Sequence, residues 1–384
     1  MELEIVKSNW KKFALKDVLF KREENDKENA KNRFDRFLKV DHFDKECIHV
    51  KRWSSQESGE ELNPTFYKIF RKGQILFPTR NPHLRRTVLA SFDGICGEKT
   101  LTLEANEEYL IPEFIPFLFH SESFYAHTTA AIIGSTNPHV RWRDVANYEF
   151  LLPPIDQQAQ LAELLWAMDE VIEREKEVLF NLNIQLGALN VLFFSKTNKK
   201  LGDIINSTIS GGTPDTKINE FYINGSIPWI TTTVLDSHFI SNGEKLITQE
   251  AINNSAAKIL PSGNILAGTR VGVGKFSINK IDISFSQDIT GLLINLDRID
   301  SEFLVHQLNS HIFKQRLEPY IRGTTIKGIT KSDLLNIKIY SPTRNIQIEI
   351  KTKLSLLNES QKEIGNKITT SQSLQKSLIN QIFG

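Results

Sequence analysis

Residues 152–195 read LPPIDQQAQLAELLWAMDEVIEREKEVLFNLNIQLGALNVLFFS, and the periodicity of this stretch decides the fold. Two prolines, Pro153 and Pro154, open it. Proline suits the positions just before or at the first turn of a helix, where its missing N–H costs no hydrogen bond. Asp156 follows as the expected N-cap. Alternating steps of four and three then land on Leu161, Leu165, Met168, Ile172, Glu175, Leu179, Leu182, Leu186, Leu189 and Phe193, of which only Glu175 is polar. A stripe sustained over about five heptads exceeds an ordinary globular helix and predicts a coiled coil.

The same register recurs 189 positions later, after Pro342. It lands on Ile350, Leu354, Leu357, Gln361, Ile364, Ile368, Ser371, Gln375, Leu378 and Ile382. At about 1.5 Å per residue each helix would be roughly 55–60 Å long. Residues 151–195 carry a net charge of −5 and residues 341–384 a net of +3, which favours pairing the two helices in one chain. Exposed ion pairs each contribute little to that preference. A duplicated unit folded with pseudo-two-fold symmetry places the helices antiparallel. Glu175, Gln361, Ser371 and Gln375 interrupt the seam, read either as local solvent exposure or as polar positions that select register.

The duplication extends outward from the helices. Lys72-Gly73-Gln74-Ile75-Leu76 resembles Ser262-Gly263-Asn264-Ile265-Leu266 at an offset of 190. Gly134-Ser135-Thr136 resembles Gly323-Thr324-Thr325, and Val140–Asp144 resembles Ile329–Asp333, both at 189. Pro153 falls on Pro342 and Phe194 on Phe383; Leu15 and Val18 match Leu201 and Ile204 at 186. Each copy begins with a short opening helix or strand, around Leu15–Leu19 and Leu201–Ile205. Short β-like runs follow, among them Gln74–Thr79, Thr100–Glu104, Asn264–Arg270 and Ile281–Phe285. A helix is expected near each domain's end, at Glu113–Phe124 and Ser301–Ile312. The expected fold is α+β, with two tandem-repeated β-rich domains at 1–152 and 196–341. Each is followed by a long helix, at 153–195 and 342–384, and the two helices pair as an antiparallel coiled coil.

Composition excludes several classes. The 384 residues are 40% hydrophobic and 24% charged, in the range of globular proteins and long enough for two domains. No run of about 18 apolar residues suggests a membrane span, and MELEIVKSNWKKF lacks a secretory core. Two cysteines, Cys47 and Cys96, build neither a disulfide framework nor a multi-cysteine zinc site. A cytoplasmic location is expected. The net charge is only +1, so the chain is no polycation.

Several runs carry a family resemblance. Lys72-Gly73-Gln74-Ile75-Leu76, then Pro78-Thr79-Arg80-Asn81-Pro82-His83-Leu84-Arg85-Arg86 and Phe92-Asp93-Gly94-Ile95-Cys96, are similar to one class of target-recognition domain from the specificity subunits of type I restriction–modification systems. Gly225-Ser226-Ile227-Pro228-Trp229-Ile230, Gly263-Asn264-Ile265-Leu266 and Gly268-Thr269-Arg270-Val271-Gly272 are similar to another. Leu152-Pro153-Pro154-Ile155-Asp156-Gln157-Gln158 resembles the start of that family's long helix, and Ser341-Pro342-Thr343-Arg344-Asn345-Ile346-Gln347 is a looser copy. The resemblance covers nearly the whole chain. It implies a non-catalytic subunit in which each domain reads one half of a bipartite, asymmetric site on double-stranded DNA. The helices then set the unread spacer and dock two adenine methyltransferase subunits, which motor-nuclease subunits can join. S-adenosylmethionine, ATP and magnesium would sit on those partners, with no cofactor or metal on this chain. Two non-identical readers on a ruler also follow from the duplication itself, and an asymmetric bipartite site requires that arrangement.

Residues 71–100 carry Arg71, Lys72, Arg80, Arg85, Arg86 and Lys99 against Asp93 and Glu98, a net of +4 within a neutral domain. Arg80, His83, Arg85 and Arg86 lie in a Pro- and Asn-rich loop suited to a DNA groove, where guanidinium forks meet guanine or phosphate; an ordinary solvated loop is the competing reading. The counterpart in the second copy runs from Gly268 to Lys275, with Arg270 and Lys275 as its cations and glycines that permit close backbone approach to phosphate. A second pair of candidates is Ser135, Asn137 and His139, matched by Arg322, Thr324, Thr325 and Lys327. Hydroxyls beside Gly and a cation can satisfy phosphate oxygens, or simply form a turn. Thr231 and Thr232 could offer hydroxyls to base edges, whereas Trp229 reads as core.

Apparent catalytic signals fail on inspection. Asn63-Pro64-Thr65-Phe66 resembles an amino-methyltransferase loop but lacks its second proline and any glycine-rich cofactor loop. Gly272-Val273-Gly274-Lys275-Phe276 has Thr269 where a P-loop needs Gly and Phe276 where it needs Ser or Thr. The histidines show no HExxH spacing, and no constellation capable of chemistry emerges.

Overall fold

The structure is a computed structural model and describes residues 5–384. The chain forms two compact units. One comprises the residues through Lys176 together with Asn366–Gly384; the other is Glu177–Gly365. Each long helix therefore contributes to both units.

The first unit has a four-stranded antiparallel sheet in the order Leu19–Lys21, Thr100–Ala105, Ile75–Pro78, Val88–Leu89. A five-stranded sheet runs Glu24–Asn25, Lys68–Phe70, Gly94–Cys96, Arg36–Leu38, Ser54–Ser55, with Arg36–Leu38 and Gly94–Cys96 parallel. The second unit repeats both orders. Its first sheet runs Ile205–Ser210, Ile289–Ile294, Ile265–Gly268, Phe276–Asn279, plus an edge strand Phe239–Ile240. Its second runs Ile259–Leu260, Ile283–Phe285, Ile227–Ile230, Lys245–Ile247, with the central pair again parallel. Register is kept as well: Leu103 opposes Ile75, and Leu292 opposes Ile265. These central strands are buried on both faces, so they read as unbroken apolar runs rather than as alternation.

The expected terminal helix of each domain is broken in two. Ile115–Leu118 and Glu122–Ala130 replace the single span in the first copy; Ser301–Asn309 and His311–Leu317 replace it in the second. Ser121 and Ser310, 189 residues apart, cause the break. Each hydroxyl donates back to a carbonyl, Leu118 O at 2.8 Å and Gln307 O at 2.6 Å, and accepts from the backbone N–H of Phe124 or Phe313.

The long helices span Ile155–Phe194 and Arg344–Phe383. Asp156 is not the N-cap. The helix begins at Ile155, Pro154 O accepts from Gln157 and Gln158, and Asp156 sits in the first turn, where its charge suits the helix dipole. By length and composition alone the first helix is long and apolar enough to cross a membrane, though polar residues interrupt it throughout. Its apolar positions instead serve the seam. In the first unit Leu161, Ala162 and Leu165 share one core with Leu378, Ile379, Ile382 and Phe383. In the second, Leu186, Leu189 and Phe194 pack with Ile350 and Leu354. The start of one helix thus meets the end of the other in each unit, the antiparallel sense. None of the twenty seam positions is fully exposed. The polar ones are bonded in two cases: Gln375 Nε2 donates to Leu165 O at 3.3 Å, and Gln361 Nε2 to Asn183 Oδ1 at 2.7 Å.

Candidate nucleic-acid interface

In each unit the loop leaving a central strand and a glycine-turned hairpin are joined by the backbone. In the first unit the strand Ile75–Pro78 ends at Thr79, whose N–H donates to Lys99 O and whose carbonyl accepts from Val140 at 3.0 Å. Asn81 N–H then donates to Pro138 O at 2.8 Å. The hairpin closes through the mutual Ile133–His139 bonds, with Gly134 in the left-handed region at φ 82°. In the second unit Thr269 donates to Asp288 O and accepts from Ile329 at 2.9 Å, while Arg322 and Gly328 close the hairpin around Gly323 at φ 107°. A side chain at Gly323 would come within 2.1 Å of Ile326 O. Only glycine fits this turn. Candidate residues that lie more than fifty positions apart in sequence therefore form one surface in each unit.

The side chains divide into free and committed groups. Arg80, His83, Ser135 and Asn137 are exposed in the first unit; Arg270, Arg322, Thr324, Thr325 and Lys327 are exposed in the second. Arg86 and His139 are half-buried, with His139 Nδ1 against Asn137 O at 3.0 Å. Arg270 stands 3.9 Å from Asp288, Arg322 3.7 Å from Asp333, and Lys275 donates to Asp236 at 2.7 Å. Thr231 gives its hydroxyl to Glu244 at 2.8 Å, and Thr232 is buried. Trp229 is core, its indole N–H on Gly212 O at 3.0 Å. Arg85 is the most committed. Its guanidinium reaches Glu46 Oε1 at 2.7 Å and both carboxylate oxygens of Glu122, and lies 4.9 Å above the Tyr125 ring. That environment raises its already high pKa, and Arg85 with Lys376 pushes the Glu122 carboxyl down to about 2.

Two features escape inspection of the sequence. A polar cavity opens beside the first junction, lined by Lys21, Tyr67, Lys99, His139, Arg141 and Trp142 among others. Its walls come from five separate segments. Second, Gln158 and Gln347 are buried at the same place in the two copies. Gln158 accepts from Ile111 N and donates to Tyr109 O and Pro153 O, each at 2.9 Å. Gln347 accepts from Asp300 N at 2.8 Å and donates to Arg298 O and Pro342 O. Each fixes the start of a long helix to its β-domain. Their 189-residue offset was the available signal.

The structure is thus a duplicated unit, each copy carrying a strand-end loop bonded to a glycine-turned hairpin and a share of both long helices. The chain belongs to the type I restriction modification DNA specificity domain family, whose model matches residues 7–182 and again 195–371. It is similar to the MjaIX specificity subunit of Methanocaldococcus jannaschii, 32% identical over 181 residues, covering 46% of this chain and 40% of that one. It is also similar to a type I restriction enzyme specificity subunit of Escherichia coli, 28% identical over 169 residues, covering 42% and 41%. The chain thus matches about two-fifths of the length of each of these two relatives. Among solved structures, the S subunit of a type I system from M. genitalium shares the fold at TM-score 0.63 with 15% identity, covering 100% of this chain and 98% of that one. A chain from a type I R-M system, studied for complex assembly and conformational transition, gives 0.58 with 20% identity, covering 98% and 97%.

Proposed function

We propose that this chain is the non-catalytic specificity subunit of a type I restriction–modification complex, acting in the cytoplasm on double-stranded DNA. The carrying observation is the repeated junction: in each unit, one backbone bond sets an exposed arginine, Arg80 or Arg270, beside a hairpin of small polar residues. The first unit reads one half-site and the second reads another, with Ser135, Asn137, Thr324, Thr325 and Lys327 positioned for phosphates and the two arginines for base edges. His83, Arg86, His139, Lys275 and Arg322 border those contacts. The carbonyl that accepts from Thr79, just before Arg80, belongs to Lys99, and the one that accepts from Thr269, just before Arg270, belongs to Asp288, so the two surfaces differ in charge at the same place. That difference suits an asymmetric target.

The long helices set the spacer and dock two adenine methyltransferase subunits. Exposed Phe180, Ile184 and Val191 on the first helix support docking, because large apolar side chains repeated along one face rarely stay in water. S-adenosylmethionine binds those partners; ATP and magnesium belong to motor-nuclease subunits where they join. Selection from randomised duplexes tests the reading. Arg80→Ala should relax one half of the selected motif and Arg270→Ala the other, each by about 1–3 kcal/mol of discrimination. Variants that leave both halves unchanged would remove the assignment.

A further inference from the structure

Arg85 lies in the first reading loop, yet its surroundings are those of a bolt. The residue adopts a left-handed backbone at φ 53°, and its carbonyl accepts from Glu46 N–H at 2.8 Å. Its guanidinium holds Glu46 and Glu122 together. Lys376, on the last helix, closes the cluster by donating to Glu122 at 2.7 Å and approaching Glu46 at 3.5 Å. The neighbours are themselves fixed. Glu122 N–H donates to Asn380 Oδ1 at 2.9 Å, and Ser123 Oγ to Phe383 O at 2.7 Å. The segment after Glu46 is pinned to the first long helix by His49 on Asp169 and Lys51 on Glu173, both at 2.6 Å. Three of the five guanidinium donors are spent on the two carboxylates, and the group lies over the Tyr125 ring in a side chain only 23% exposed, so it is held by the protein rather than presented to a base.

We infer that Arg85 is a positioning residue: with Glu46, Glu122 and Lys376 it clamps the first reading loop to the end of the second long helix, so that pairing of the helices sets the geometry in which Arg80 meets the first half-site. This rests on the proposed function. It removes Arg85 from the set of DNA contacts and adds three residues, one of them 291 positions away, to the determinants of specificity. The corresponding loop of the second unit, Val271–Lys275, has no ion pair to a long helix among the described residues; Lys275 pairs with Asp236 instead. The clamp should therefore act on one half-site only.

The test uses the full chain in complex with its modification subunits. Duplex selection and the salt dependence of binding are measured for Arg85→Ala, Glu122→Gln and Lys376→Met, with Lys376→Arg as the conservative variant. The clamp predicts that the first three each lose about tenfold or more in discrimination at the first half-site. The second half-site should stay sharp, the salt slope unchanged, and Lys376→Arg close to wild type. A direct DNA contact predicts the opposite signs. Arg85→Ala would then lower the salt slope by about one, and Glu122→Gln, which removes a negative charge and frees the guanidinium, would bind as tightly or more tightly. That result overturns the proposal, as does unchanged discrimination in all three variants or an equal loss at both halves. A wild-type complex that selects no bipartite motif would instead overturn the parent reading, and is recognisable because it appears before any substitution is made.

Discussion

Gln158 and Gln347 show what single side chains contribute here. Each satisfies three backbone groups at the point where a long helix leaves its β-domain, and each is almost fully buried. Gln158→Ala would leave Ile111 N–H and two carbonyls without partners, at about 1–3 kcal/mol per unsatisfied group. The expected result is a lower denaturant midpoint with an unchanged slope; Gln347→Ala should behave alike. His306 makes a separate prediction. It is buried against His238, with ring centroids 4.5 Å apart, and bonds Ser355 Oγ at 2.9 Å. Burial, reinforced by His238, pushes its pKa down to about 3. Below its ordinary value of about 6.5 the unfolded chain takes up a proton that the folded chain refuses, so stability present above pH 6.5 is lost as pH falls towards 3. A His306→Gln variant should flatten that acid limb of the unfolding curve. Little of this was legible in the sequence. The basic excess of residues 71–100 is visible, but whether an arginine there is free, like Arg80, or committed, like Arg85, depends on Glu46, Glu122 and Lys376, which only the tertiary fold assembles.

The helices were far more legible than the contacts. Heptad spacing picked out Leu161 and Leu165, which share a core with Leu378 and Ile382, and Leu186 and Leu189, which share one with Ile350 and Leu354, because a repeated apolar residue on a helix must face something apolar. The helix start was misplaced by two residues, since Pro154 already occupies the cap position and leaves Asp156 inside the first turn. Strand ends shifted by one or two residues, and the terminal helices split at serines whose capping competes with continuation. Two substitutions test the seam. Leu165 is fully buried between the helices and the first β-domain, so Leu165→Ala should cost about 2–5 kcal/mol. Glu175 buries a carboxylate oxygen with no hydrogen-bond partner; Glu175→Leu should raise the melting temperature, because the uncompensated desolvation disappears.

At the scale of the whole molecule, duplication supplies two β-domains of one topology with different surfaces. The shared strands keep their order while each unit adds one edge strand of its own, Glu24–Asn25 in the first and Phe239–Ile240 in the second, and Lys99 of the first copy stands where the second has Asp288. Inserting one heptad into both long helices should lengthen the unread spacer while both half-sites keep their sequence, read by duplex selection. The most direct measurement is single-molecule methylation sequencing of DNA treated with the reconstituted complex. The account predicts methylated adenines in two different half-sites separated by a gap of fixed length and free sequence. One continuous palindromic motif would contradict it.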